Sequence, residues 1–152
     1  MTKAIRRRLA GSEGFTLIEL MVVVMIIAVL IAIAIPSFLG FRRSAQDRAA
    51  QSEVRSVLLA EKAFWLEDGA YTAAADDITA FEPNAVIAAA AADGVTITLN
   101  ADTNYVCISR TSDSGSTFAV WESANDGTYY GATDLTGACP NAAPADYAQG
   151  GW

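Results

Sequence analysis

The sequence predicts an α+β fold. One long, kinked N-terminal helix packs its second half against a four-stranded antiparallel sheet, and one disulfide staples the C-terminal end. Three observations predict it. Residues 20–35 read LMVVVMIIAVLIAIAI, with no polar side chain. Residues 42–66 are rich in good helix formers and hold neither Gly nor Pro. After Gly94 the chain changes to short β-branched and aromatic runs divided by turn residues.

The helix comes first. A spanning helix needs roughly 20 apolar residues. Leu20–Ile35 supplies most of them, and Phe15–Ile18 and Phe38–Phe41 extend the run; its single charge is Glu19. Pro36 removes one helical hydrogen bond and crowds the carbonyl four residues back, so a kink is expected there. Gly40 adds a second soft point. Beyond it, Ala50, Val54, Val57, Leu58, Phe64 and Trp65 fall on one stripe, the pattern of a helix packed on a domain. Asp68-Gly69 is the expected stop. Helical from Phe15 to Glu67, the element would be about 80 Å long, far more than a small domain needs.

Residues 68–94 form an Ala-rich connector. Asp76-Asp77 could cap a short helical turn, Phe81-Glu82-Pro83 favours an extended or turn conformation, and Ala88–Ala92 is open between helix and loop. The sheet is expected over 95–130, with strands at Val95–Leu99, Tyr105–Arg110, Phe118–Trp121 and Thr128–Tyr130. The short turn-rich connections between them suggest an antiparallel meander. The C-terminal loop, 131–152, is Ala-, Pro- and Gly-rich and reads as irregular.

Composition excludes several functions. The net charge of −7 is uneven: four basic residues (Lys3, Arg6, Arg7, Arg8) against Glu13 give residues 1–14 a charge of +3, so the remainder carries −10. A basic tip before an apolar run is a membrane-targeting layout. The acidic remainder suits a self-repelling exterior domain and argues against direct nucleic-acid binding. The absence of His removes the commonest general base and metal ligand. Cys107 and Cys139 lie far apart, outside any C-x-x-C motif, and in a translocated chain read as one disulfide. The sequence offers no phosphate loop, no metal-ligand spacing and no announced carboxylate pair, so neither enzyme nor cofactor is expected. Asn125-Asp126-Gly127 with Asp134 falls short of a Ca²⁺ ligand ladder, and no metal is expected.

The informative string is Gly14-Phe15-Thr16-Leu17-Ile18-Glu19-Leu20, between the basic tip and the apolar run. An ordinary secretory signal is cut after its apolar core. A cut here would leave the whole apolar segment on the mature chain. A carboxylate in such a segment is costly unless paired. The α-amine of a newly cut Phe15, its own or a neighbouring copy's, would partner Glu19 and punish a one-residue register error.

From Gly14 to about Leu66 the chain closely resembles the type IV pilin family, and the resemblance implies a type IV pilin-like fold and a prepilin. Residues 1–14 would be a leader removed by a prepilin peptidase after Gly14, with N-methylation of Phe15. Residues 15–41 would be the transmembrane and polymerisation helix, with Glu19 aiding assembly, and 42–152 the globular domain. Implied partners are other copies of the chain in a homopolymer filament, the peptidase, a platform protein and an assembly ATPase. The precursor would sit in the inner membrane before joining a surface filament that serves adhesion, motility or DNA uptake. The resemblance also implies a C-terminal loop held by Cys107 and Cys139, often exposed.

Other readings stay in view. A type II secretion pseudopilin or minor pilin shares the same motif. A non-polymerising, membrane-anchored surface binding domain explains the apolar run but not GFTLIEL. A signal peptide cut after Ala32-Ile33-Ala34 would free a secreted hydrolase, against which Pro36 and the continuing helix both count.

Overall fold

The computed structural model describes residues 14–135 and 137–152 of the chain. The chain divides after Gly40 into two compact units, the second being Phe41–Trp152.

Helix α1 spans Leu17–Asp68. It begins two residues later than the apolar pattern suggests, because Thr16 caps it. The Thr16 hydroxyl accepts the Glu19 N–H at 3.2 Å, and the Thr16 carbonyl accepts the Leu20 N–H at 3.2 Å. The first satisfies one of the amide donors that every helix start leaves over, and the second opens the helical ladder. Pro36 and Gly40 both lie inside α1. Ser37 Oγ donates to the Ile33 carbonyl at 3.4 Å, next to the Ala32 carbonyl that Pro36 cannot serve. At the far end Gly69 takes a left-handed φ of 75° and donates to the Trp65 carbonyl at 2.8 Å, which stops the helix where Asp68-Gly69 predicts.

Within the second unit α1 buries Ala50, Val54, Val57, Leu58, Ala60 and Glu61. Phe64 and Trp65, expected on the same stripe, are only half-buried, and Ala60 and Glu61 take the face instead. The connector holds one short helix, α2 (Ala75–Phe81), with Asp76 and Asp77 in its first turn. Neither caps it: Asp77 accepts the Thr72 hydroxyl at 2.8 Å, and that hydroxyl in turn accepts the Ala74 N–H at 3.0 Å. Ala88–Ala92 is not helical; Ile87 bridges Val95 in parallel, and turns follow.

The sheet is a four-stranded antiparallel meander, β1 (Thr96–Leu99), β2 (Tyr105–Thr111), β3 (Thr117–Ser123) and β4 (Gly127–Gly131), in the order β1-β2-β3-β4. The hairpins carry β3 and β4 past the aromatic runs that mark them in the sequence: Thr111 pairs with Thr117, and Ser123 with Gly127. Register sorts the side chains by parity. Ile97, Ile108, Val120 and Tyr130 line up across the sheet, and the first three join Val54, Val57, Leu58, Tyr71, Ile78, Val95 and Val106 in the main core. Cys107, Ala119 and Trp121 point the other way and form a second core with Cys139 and Tyr147.

That second core decides the C-terminal segment. Residues 137–148 read as irregular and contain no strand, yet they cover the outer face of the sheet. Cys107 and Cys139 form the expected disulfide. Trp121 Nε1 donates to the Pro140 carbonyl at 2.8 Å, and Tyr130 and Ala148 exchange two backbone hydrogen bonds of 2.9 Å along the β4 edge. Trp152 then packs edge-on to Tyr130 and Phe118 at 4.9 and 5.4 Å, with the Arg55 guanidinium 5.5 Å from its ring centre. Exposed sheet edges invite foreign strands; here Ala148 covers part of β4, and Ile87 pairs beside the start of β1.

Candidate functional site

The sequence points to the start of α1, and the structure gives its local geometry. Gly14, Phe15 and Thr16 precede the helix without regular structure, and Phe15 is 75% exposed. A Cβ built on Gly14 would meet nothing within 4 Å among the described residues. No described side chain or backbone atom crowds position 14. Glu19 stands three residues beyond the Thr16 cap, and the Thr16 hydroxyl lies 3.5 Å from Glu19 Oε2. This is a variant of the capping box, in which Ser or Thr is followed three residues later by Glu. The spacing Thr16-Leu17-Ile18-Glu19 carries that signal in the sequence, and it is the feature that moves the helix start from Phe15 to Leu17. The Glu19 carboxylate is aimed at the first turn, where helix amides concentrate positive charge.

From Gly14 to Ala45 every residue is exposed. The run includes Leu20, Met25, Leu30, Ile33 and Phe38, each 60% exposed or more. An 18-residue window of α1 has a mean hydropathy of 3.2 with none of it buried. By length and composition this stretch can cross a membrane. A Cβ on Gly40 would also meet nothing. Cys107 and Cys139 belong to the second core, on the outer face of the sheet.

One group escapes the motif reading altogether. Glu61 is fully buried, its Oε2 accepting the Thr72 N–H at 3.2 Å and its Oε1 without a partner. Burial pushes its carboxyl up to about 7; the Thr72 N–H pulls the other way, and nearby Asp77 adds to the rise. Spacing permits its place on the buried face, since 61 lies three, four and seven residues beyond Leu58, Val57 and Val54. Beside it, Lys62 pairs with Glu122 at 3.0 Å and donates to Thr128 at 3.0 Å. At the other end of the domain Asp47 accepts the hydroxyls of Ser114 and Ser112, which hold its carboxyl below the usual range and tie the β2–β3 hairpin to α1.

The acidic loops are occupied by local bonds. Asp126 accepts the Ser123 hydroxyl at 3.1 Å, and Asp134 accepts the Ser109 hydroxyl at 2.5 Å. Among the described residues no three His, Cys, Asp or Glu side chains gather as a metal site.

Comparison with known proteins returns to the helix start. The prokaryotic N-terminal methylation motif matches residues 9–35. The chain is 42% identical over 67 residues to the type IV major pilin protein PilA of Myxococcus xanthus, covering 44% of this chain and 30% of the relative. It is 34% identical over 62 residues to the type IV wide pilus major component PilA4 of Thermus thermophilus, covering 41% and 47%. These two matches span less than half of each relative. A longer match, 32% over 123 residues, covers 77% of this chain and 78% of the fimbrial protein EcpC of Eikenella corrodens.

Proposed function

The chain belongs to the type IV pilin family, and from that premise we propose that it is the structural, non-catalytic subunit of a type IV pilus-like surface filament. In this reading the precursor waits in the inner membrane through residues 15–41. The peptidase cuts after Gly14, Phe15 is methylated, and a platform protein and assembly ATPase move the subunit into a homopolymer.

One observation carries the reading: an exposed apolar stretch of α1, up to Phe41, whose only charge is Glu19 beside the Thr16 cap. Apolar surface of this extent does not stay in water. It is covered by lipid before assembly and by the same helix of neighbouring copies afterwards. A repeated head-to-tail contact of that kind gives an open filament. Glu19 supplies the register, because the α-amine of a cut Phe15 is the partner a buried carboxylate needs. The open space that the described residues leave around Gly14 supports the cut, since a peptidase must reach the bond that follows it. Pro36, which leaves a carbonyl unserved, and Gly40, which adds no side chain, form the point at which α1 can bend or open during packing.

The test is the intact mass and N-terminal sequence of the native protein from its own cells. A chain starting at Phe15 and heavier by one methyl group is expected. A start at Met1 would leave a plain membrane anchor, and the filament reading would fall.

A further inference from the structure

Three arginines follow the apolar stretch directly. Arg42, Arg43 and Arg48 are exposed, and among the described residues none makes an ion pair or a hydrogen bond; the two ion pairs of the domain are Lys62–Glu122 and Arg110–Glu53. The one acid between them, Asp47, is engaged by Ser112 and Ser114. In a chain with a net charge of −7, three unpaired cations within seven residues call for an anionic partner.

Their placement round α1 says which kind. At about 100° per residue, Arg43 lies about 100° from Arg42 and Arg48 about 240° from it. No gap between them exceeds about 140°, so the charges ring the helix. A folded partner docks on one side of a helix, whereas lipid headgroups surround it. The rise from Arg42 to Arg48 is about 9 Å, comparable with the headgroup layer, which occupies about 5–7 Å on each side of the hydrocarbon core.

We propose that Arg42, Arg43 and Arg48 form a collar that binds anionic lipid headgroups in the leaflet from which the domain emerges, fixing the depth of the unassembled subunit. The collar rests on the reading of residues 15–41 as a membrane span. Its charges also set a barrier to withdrawal, since each phosphate contact must be given up as the helix leaves the bilayer.

The full chain is tested in two steps. Flotation with phosphatidylcholine vesicles establishes insertion. Native mass spectrometry from micelles holding equal phosphatidylglycerol and phosphatidylcholine then reads which lipid is retained. The R42Q/R43Q/R48Q variant should float normally but lose phosphatidylglycerol preference, about fivefold for each arginine if all three contribute fully. The R42K/R43K/R48K variant should keep it, and R6Q/R7Q/R8Q marks the share owed to the leader. A collar variant that floats with the wild-type lipid ratio overturns the proposal and leaves the span intact; if it also fails to assemble, the arginines meet a second copy instead. A wild-type chain that does not float removes the span and the collar together.

Discussion

A buried carboxylate with one free oxygen is an unusual thing to place under a small sheet, and Glu61 is such a group. Its charged form is disfavoured by burial, by Asp77 and by the lack of a second donor. In the unfolded chain it titrates near 4.5, in the folded chain near 7. Between those values the folded state keeps a proton that the unfolded state has lost, so stability falls as pH rises through that window and levels off above it. The shift corresponds to about 3 kcal/mol at most. Thermal unfolding at pH 5 and pH 8 checks this. Glu61→Gln should match the wild type near pH 5 and exceed it at pH 8; equal losses in both would clear Glu61 of the effect. Glu19 answers to a different measurement. If Glu19 sets the register as proposed, Glu19→Ala should insert in the membrane normally and fail to give filaments, for want of a partner to the Phe15 amine.

The C-terminal segment adds long-range ties to the ladders between adjacent strands. The Cys107–Cys139 bridge closes a separation of 32 residues. In the chain-entropy account such a loop contributes roughly 3–4 kcal/mol. Urea unfolding of the Cys107→Ala, Cys139→Ala double variant should show a loss of that order, with the midpoint of the wild type moving likewise under reductant. The fit of the segment is tighter still at Gly131, where a Cβ would come within 2.2 Å of the Tyr147 ring. Gly131→Ala should cost about 1–3 kcal/mol by overpacking. Tyr147→Ala in the same background should recover part of the loss, whereas a neutral Gly131→Ala would mean the segment sits less closely than described.

At the scale of the whole molecule, the two units answer to different solvents. Every residue from 14 to 45 is exposed, while both hydrophobic cores lie between Ala50 and Trp152. A chain beginning at residue 42 should therefore stay monomeric and folded in plain buffer by analytical ultracentrifugation. The full chain should need detergent or lipid. A truncated domain that precipitates would show that the apolar helix contributes to the fold and not only to assembly.

Much of this architecture is written locally. The unbroken apolar run, the helix formers after it and the alternating aromatic strands each report through neighbours a few residues apart, so helix, meander and their order can be read from the chain. GFTLIEL likewise marks Gly14, Phe15 and Glu19, and two cysteines in a translocated chain admit one intramolecular bridge. The Thr16 cap was open to the same reading, since Thr-x-x-Glu is a local spacing. Other features depend on residues far apart in sequence. Periodicity alone leaves open whether Trp65 or Glu61 fills the end of the helix face; the connector settles it by bringing Thr72 over Glu61. No pattern in residues 137–148 says that they lie on the back of the sheet, because their order comes from Trp121, Tyr129 and Cys107 beneath them and not from their own propensity. Local chemistry determined which elements form and where the GFTLIEL string falls; long-range packing decided which polar group is buried, and how a segment without a pattern of its own becomes the second face of the domain.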